Sequence, residues 1–382
     1  MAKKKILYLV TEDWYFWSHR LPIARAAKHQ GYQVVIVTRV KEYGTRIKEQ
    51  GFKLIPINMR RRSKNPVREM VLLYELYRIY RQEKPDLVHH VALKPILYGA
   101  FIARISGVPI VVNALTGLGY VFIAKGIRAH LLRKVVELLY RWAFSSKNCR
   151  VIFQNSEDCS LLTDRGVLSS DKSVLIRGSG VNVDRFTPAE EEPPGPPKII
   201  IASRMLKDKG IGELVAAAVI LQQRRIPCHL LLAGIPDPEN PASISVEQLT
   251  AWSRAETVTW LGYIDDVASL SKQCHIGVLA SYREGVPKGL LEAASAGLPL
   301  VATDVPGCRE VVHHGVNGFL VQPKDSAGLA EALATLVQDK ALRRRMGKAS
   351  RHIAVNEFSE ERVIRDTLNL YEQMLTIEPL AK

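Results

Sequence analysis

HIGVLASYREGVPKGLLEAASAGLPLVAT, residues 275–303, holds one complete strand–helix–strand unit. HIGVLAS (275–281) is apolar at nearly every position, as a strand covered on both faces must be. Pro287 suits the first turn of a helix, where its missing amide would be unpaired anyway. Leu290, Leu291 and Ala294 give that helix an inward stripe, and Gly297 followed by Pro299 ends it. LPLVAT (298–303) then returns as the next strand. Two apolar strands joined through a helix predict a parallel pair. Open parallel sheets take their ligands beyond the carboxyl ends of the strands, and the segment 282–288 leaves such an end.

The same alternation runs through the rest of the chain. Upstream, the strand-like runs are ILYLV (6–10), VVIVT (34–38), KLIPI (53–57), LVHHV (87–91), IVVNA (110–114) and VIFQN (151–155). Segments 67–83 and 127–144 between them have helical spacing. TPAEEEPPGPP (187–197) interrupts the pattern with prolines and acids, and reads as a poorly ordered linker. After it come KIIIAS (198–203), HLLLAG (229–234), VTWLG (258–262), the unit above, and GFLV (318–321). The expected fold is α/β, with two Rossmann-like parallel-sheet domains and a cleft between them. The domains span 1–187 and 198–358, joined by a linker at 188–197. A helix at 359–382 is long enough to cross back onto the first domain.

Charge separates the halves. Residues 1–190 hold 32 Lys and Arg against 15 Asp and Glu, or +17; the remainder holds 21 against 23, or −2. One half is therefore expected to face an anionic surface. Five cysteines without a C-x-x-C pair point to free thiols in a reducing compartment. No run approaches the roughly 18 apolar residues of a membrane span. ILYLV follows Met1-Ala-Lys-Lys-Lys directly and is too short for a signal segment, so a cytoplasmic protein is expected.

The amides of Val286, Pro287's neighbour, through Lys288 and Gly289 lie at a helix start, which attracts phosphate. Glu284 lies just upstream, with Gly285 between, and Glu292 about one turn into the helix on the face of Lys288 and Gly289. Two carboxylates flanking a diphosphate could each grip the hydroxyls at one end of a sugar nucleotide. The plainer alternative makes Glu284 a turn residue and Glu292 a solvated one. Arg204 and Lys209, in SRMLKDKG (203–210) after another strand, could converge on the same diphosphate or lie on solvated surface. There is no D-x-D triplet, and the adjacent pairs Asp265-Asp266 and His313-His314 have poor metal-ligand spacing, so neither metal nor cofactor is expected.

Together with AGLPLVATDVPGCREVVHHGVNGFLV (296–321), this stretch resembles the E-x7-E signature of retaining GT-B glycosyltransferases of family four. NALTGLGYVFIAKGIRAH (113–130), Arg20-Leu-Pro-Ile and Arg283-Glu-Gly-Val-Pro are similar to bacterial members that extend undecaprenyl-diphosphate-linked saccharides. The resemblance implies transfer of a hexose or N-acetylhexosamine from a UDP-sugar to a polyprenyl-diphosphate saccharide. It gives Glu284 the donor sugar and Glu292 the ribose, makes Arg204 and Lys209 the diphosphate pair, and points to Tyr263 and Ile264 for the base.

In the basic half, EDWYFWSHRLPIA (12–24) puts four aromatics in what reads as a loop, either a packed plug or a stacking wall. It departs there from family members with a Gly-Gly pair. His19 and Arg20 open the next helix, and Lys94 opens a later one where it could attract acceptor phosphate. His89 and His90 close a strand. Thr116 and Gly117 occupy the place where many relatives carry an active-site histidine; front-face transfer, in which the leaving diphosphate takes the acceptor proton, needs none. Arg60-Arg-Arg-Ser-Lys64 and the helix 126–144 suggest peripheral contact with the anionic inner face of the cell membrane. The alternatives are another GT-B enzyme (an epimerase or phosphorylase) and a basic nucleic-acid binder. No pyridoxal lysine is evident for a phosphorylase, and no aromatic–basic interleaving on one sheet for nucleic acid.

Overall fold

The computed structural model describes residues 3–61, 65–118, 122, 126–254 and 257–376. It divides into two compact units, Met1–Ser179 with Val363–Lys382, and Gly180–Arg362.

The first unit is built on seven parallel strands: β1 (Lys5–Glu12), β2 (Gln33–Arg39), β3 (Lys53–Pro56), β4 (Leu87–Val91), β5 (Ile110–Leu115), β6 (Cys149–Phe153) and β7 (Ser173–Leu175). Their order is β3-β2-β1-β4-β5-β6-β7, so the direction of winding reverses between β1 and β4. In β1, Leu7 and Leu9 enter one core, while Ile6, Tyr8 and Val10 enter the other. Covering on both faces is why these strands read as unbroken apolar runs. Part of the second cover comes from the end of the chain: Val363, Leu368, Leu370, Tyr371 and Met374 of the helix Glu360–Thr376 pack there. Tyr371 Oη lies 2.5 Å from His89 Nδ1 and 3.0 Å from Tyr8 Oη.

The second unit repeats the plan with six parallel strands: β8 (Lys198–Ala202), β9 (His229–Ala233), β10 (Val258–Gly262), β11 (Ile276–Leu279), β12 (Leu300–Thr303) and β13 (Gly318–Val321). Their order is β10-β9-β8-β11-β12-β13, reversing between β8 and β11.

The sequence expectation fails at several points. VIFQN is displaced: β6 ends at Phe153, because Asn155 caps the helix Ser156–Asp164, its Oδ1 accepting the Asp158 amide at 2.7 Å. The three residues of β7 are too few to carry a pattern. The aromatic stretch is not a loop but a short helix, Asp13–His19. Pro287 stands just ahead of its helix, Lys288–Ser295, in extended conformation and not in the first turn.

The stretch 187–197 lacks regular structure, yet it belongs to the second unit and is tied down there. Arg343 donates to Glu192 Oε1 through Nε (2.8 Å) and Nη2 (2.6 Å), and Lys340 lies 3.1 Å from Oε2. His275 Nε2 lies 3.0 Å from the Pro193 carbonyl. Acids expected to solvate a linker instead anchor it to the basic helix Lys340–Phe358.

Candidate active site

The switch point of the second sheet gathers the loops that matter. Arg204 and Lys209 follow β8, and Glu284 follows β11, its neighbour. This is where the topology leaves a crevice at the carboxyl ends of the strands. Lys209 Nζ lies 2.5 Å from Glu284 Oε1, with both side chains largely buried. Arg204 Nη1 donates to Asp237 Oδ2 at 2.7 Å. Asp237 lies beyond β9, another strand end that could have been searched for a partner to the cation. The loop after β11 is pinned as well: Tyr282 donates its amide to Asp208 O (3.0 Å) and its hydroxyl to Glu213 (2.6 Å).

The helix Lys288–Ser295 starts against the end of β8. A Cβ on Gly289 would fall 2.5 Å from the Ala202 carbonyl oxygen, so only glycine allows this approach. Leu290 and Leu291 both donate to the Pro287 carbonyl, and helix geometry leaves the amides of Lys288 and Gly289 without intrahelical acceptors. Val286 and Pro287 are buried beneath that start, with Gly285. Gly307 has room for no side chain either, since its Cβ would sit 2.1 Å from the Gly285 carbonyl. Three strand ends thus brace one helix terminus.

Glu292 keeps 16% of its side-chain exposure and lies 4.0 Å from Lys288 Nζ. Burial raises its carboxyl above the ordinary range, against the pull of Lys288 and Arg185. It is not the solvated residue of the plainer alternative. Arg185, which no strand-end rule would have flagged, also donates to the Asp265 carbonyl at 3.2 Å. It therefore links the surroundings of Glu292 to the loop of Tyr263 and Ile264. Tyr263 is exposed, its hydroxyl 3.4 Å from Asp265, and Ile264 is half-buried. Asp266 caps the helix Val267–Ser271, and His314 Nδ1 accepts the Leu320 amide. Those acidic and histidine pairs have structural work to do. Among the described residues no three His, Cys, Asp or Glu side chains gather as metal ligands would.

The residues singled out in the first unit do not form one cluster. His19 stacks on Tyr15 with ring centroids 4.1 Å apart, and Ser18 Oγ lies 2.5 Å from its Nδ1. Arg20 is buried near Tyr8, His89 and Tyr371. Lys94, expected to draw phosphate, is already held: it lies 2.7 Å from Glu69 and donates to the Arg60 carbonyl at 2.7 Å. Thr116 and Gly117 follow β5, Gly117 with a positive φ of 121°. Gly119 and Arg62 to Lys64 lie outside the described residues. His89 and His90 are core side chains. His90 spans Tyr80 Oη (3.0 Å) and Asn113 Oδ1 (2.9 Å), and burial pushes its pKa down to about 4.

Residues 182–353 match the family described as "Glycosyl transferases group 1", and residues 5–155 match "Glycosyl transferase 4-like". The chain belongs to the group 1, GT4-like glycosyltransferases. The first of these matches covers every residue of the donor site described above. Among relatives, an N,N'-diacetylbacillosaminyl-diphospho-undecaprenol alpha-1,3-N-acetylgalactosaminyltransferase from Campylobacter jejuni is 27% identical, over 93% of this chain and 95% of that protein. A UDP-Gal:alpha-D-GlcNAc-diphosphoundecaprenol alpha-1,3-galactosyltransferase from Escherichia coli is 27% identical over 81% of each. In fold, the chain resembles a glycosyltransferase from Rickettsia africae (TM-score 0.79, 20% identity, 99% of this chain and 100% of that one). It also resembles Anabaena Alr3699/HepE in complex with UDP and glucose (TM-score 0.76, 18% identity, 97% and 100%). The GT-B architecture of this glycosyltransferase is therefore two parallel Rossmann-like sheets, as the alternating runs predict.

Proposed function

We propose that this glycosyltransferase moves a hexose or N-acetylhexosamine from a UDP-sugar to a polyprenyl-diphosphate-linked saccharide, with retention and without a metal ion. The observation that carries the donor reading is the Lys209–Glu284 pair beside the helix start at Gly289. An arriving diphosphate would draw Lys209 from Glu284 and Arg204 from Asp237, placing two cations on the phosphates. The same exchange releases Glu284 to accept hydrogen bonds from sugar hydroxyls, while Glu292 meets the ribose. Tyr263 and Ile264 border the base.

In the transfer step the bond from the anomeric carbon to the diphosphate breaks as the acceptor oxygen bonds to the same face. The acceptor proton passes to the departing diphosphate, whose growing charge Arg204 and Lys209 offset. Thr116 offers no imidazole, and this route requires none. The acceptor class is supported by the two relatives that act on undecaprenyl-diphosphate sugars.

Peripheral association with an anionic membrane fits the surface of the first unit. Ile127, Leu131, Leu132, Val135 and Leu138 of the helix Ile127–Ala143 are exposed, beside Arg133, Lys134 and Arg141. No described helix is long and apolar enough to cross a membrane.

Replacing Glu284 or Glu292 by alanine is expected to abolish nearly all transfer while the protein stays folded. The assay is release of UDP on mixing UDP-sugars with a short polyprenyl-diphosphate disaccharide. Turnover at the level of the unmodified protein by either variant would overturn the assignment.

A further inference from the structure

A second charged centre lies in the first unit, at the carboxyl ends of β1 and β2. Glu12, the last residue of β1, is 1% exposed, and three cations converge on its carboxylate. Arg61 Nε lies 3.3 Å away, Arg39 Nη1 3.5 Å and Lys41 Nζ 3.7 Å. Other contacts hold each cation as well. Arg39 ends β2. The neighbouring carboxylate of Asp13, fully buried, accepts the amides of Lys41 (2.6 Å) and Tyr43 (2.9 Å) on one oxygen and that of Trp14 (2.8 Å) on the other, which fixes the loop carrying Lys41. The Arg61 guanidinium lies over the Trp14 ring, 5.2 Å from its centroid.

The three side chains keep 20, 37 and 29% of their exposure, so each meets Glu12 on one side and solvent on the other. One carboxylate against three cations leaves an excess of two positive charges. Charge neutrality alone would need only one cation, and gathering three costs repulsion unless an anion shares them. The excess also stands where open parallel sheets take ligands.

We infer that Arg39, Lys41 and Arg61 form a binding site for the diphosphate of the polyprenyl carrier, whose two negative charges match that excess. The inference rests on the acceptor reading above and adds to it the residues that grip the carrier. The two guanidinium groups supply paired donors to phosphate oxygens, and Lys41 a movable point charge. Glu12 holds the three cations together while the site is empty.

The test measures binding of soluble farnesyl diphosphate by calorimetry to the full chain and to Arg39→Gln, Lys41→Gln, Arg61→Gln and Lys41→Arg. A UDP-induced rise in melting temperature checks that each variant is folded. Each glutamine variant is expected to weaken binding about tenfold or more, and Lys41→Arg to retain most of it. In the transfer assay the glutamine variants raise the KM for a polyprenyl-diphosphate acceptor, but not for an alkyl glycoside lacking phosphates.

No binding of farnesyl diphosphate by the unmodified chain, or equal affinity in all variants, overturns the inference. Loss of binding to phosphatidylglycerol vesicles with farnesyl diphosphate affinity intact also overturns it, and makes the cluster a contact for lipid headgroups. If farnesyl diphosphate binding falls in the variants but the unmodified chain transfers sugar to no such acceptor, the site stands and the acceptor reading fails.

Discussion

Gly289→Ala tests whether the close approach of helix and strand positions the donor site. The added methyl carbon would lie 2.5 Å from the Ala202 carbonyl oxygen, about 0.9 Å inside the ordinary contact limit of 3.4 Å. That oxygen belongs to β8, which is paired on both sides, to β9 and β11, so the strand cannot yield. The helix start must therefore move outward, carrying the amides of Lys288 and Gly289 with it. Overpacking of this kind costs about 1–3 kcal/mol of stability. A displacement near 1 Å at a reacting group can cost on the order of a hundredfold in rate, so kcat/KM for the UDP-sugar is expected to fall about 10- to 100-fold. Gly212→Ala is the control: it lies in the helix Ile211–Gln223, a Cβ there meets nothing within 4 Å, and it should add about 0.5–1 kcal/mol. The assay is UDP release over a range of donor concentrations, with UDP affinity by calorimetry. A Gly289→Ala protein with kcat/KM and UDP affinity within about twofold of the unmodified chain would refute the reasoning, because that abutment would then position nothing.

Three further outcomes are expected. Burial raises the Glu292 carboxyl, so its contribution to stability is present below the ordinary carboxylate range and lost as pH rises through the raised value. Glu292→Gln should therefore melt higher than the unmodified chain at neutral pH, with the gap closing toward pH ~4; a lower melting temperature at pH ~7 contradicts this. His90 is shifted the opposite way, from the ordinary 6.5 to about 4, so its share of stability is present above pH 6.5 and lost as pH falls through about 4. The loss is on the order of 3 kcal/mol, His89 is pushed down too, and urea unfolding that stays level across that window would count against it. Arg351 Nη1 donates to the carbonyls of Val183, Phe186 and Ser295 and to the Ser295 hydroxyl at 2.8–2.9 Å, bracing the far end of the donor-site helix. Arg351→Ala should cost about 3 kcal/mol and weaken UDP binding, and an unchanged melting temperature would exclude that role.

The two sheets were legible because every central strand is buried on both faces, which writes them as plain apolar runs. The donor loops followed from the same fact, since ligands gather at strand ends and Glu284, Arg204 and Lys209 all stand there. The pairing of Lys209 with Glu284 was not legible. It joins residues far apart in sequence, and charge alone does not name a partner. Lys94 shows the opposite error: a lysine at a helix start looks available until the fold brings Glu69 to it. The acids at 190–192 looked like solvent-loving linker residues, and nothing local announced that Arg343 would claim Glu192. Asp13 and Glu12 went unnoticed beside four aromatics, because burial of an acid has no signature in composition.

The first sheet receives its final cover from Glu360–Thr376, the last described helix of the chain. A ribosome releases that segment only after the whole of Gly180–Arg362 has emerged. The second unit, one unbroken stretch, is therefore free to complete its core during synthesis. The first must wait with the apolar face around Tyr8 and His89 bare until translation is nearly over. Chains broken off before Val363 are thus expected to be clients of chaperones and proteases, although their catalytic donor half is whole.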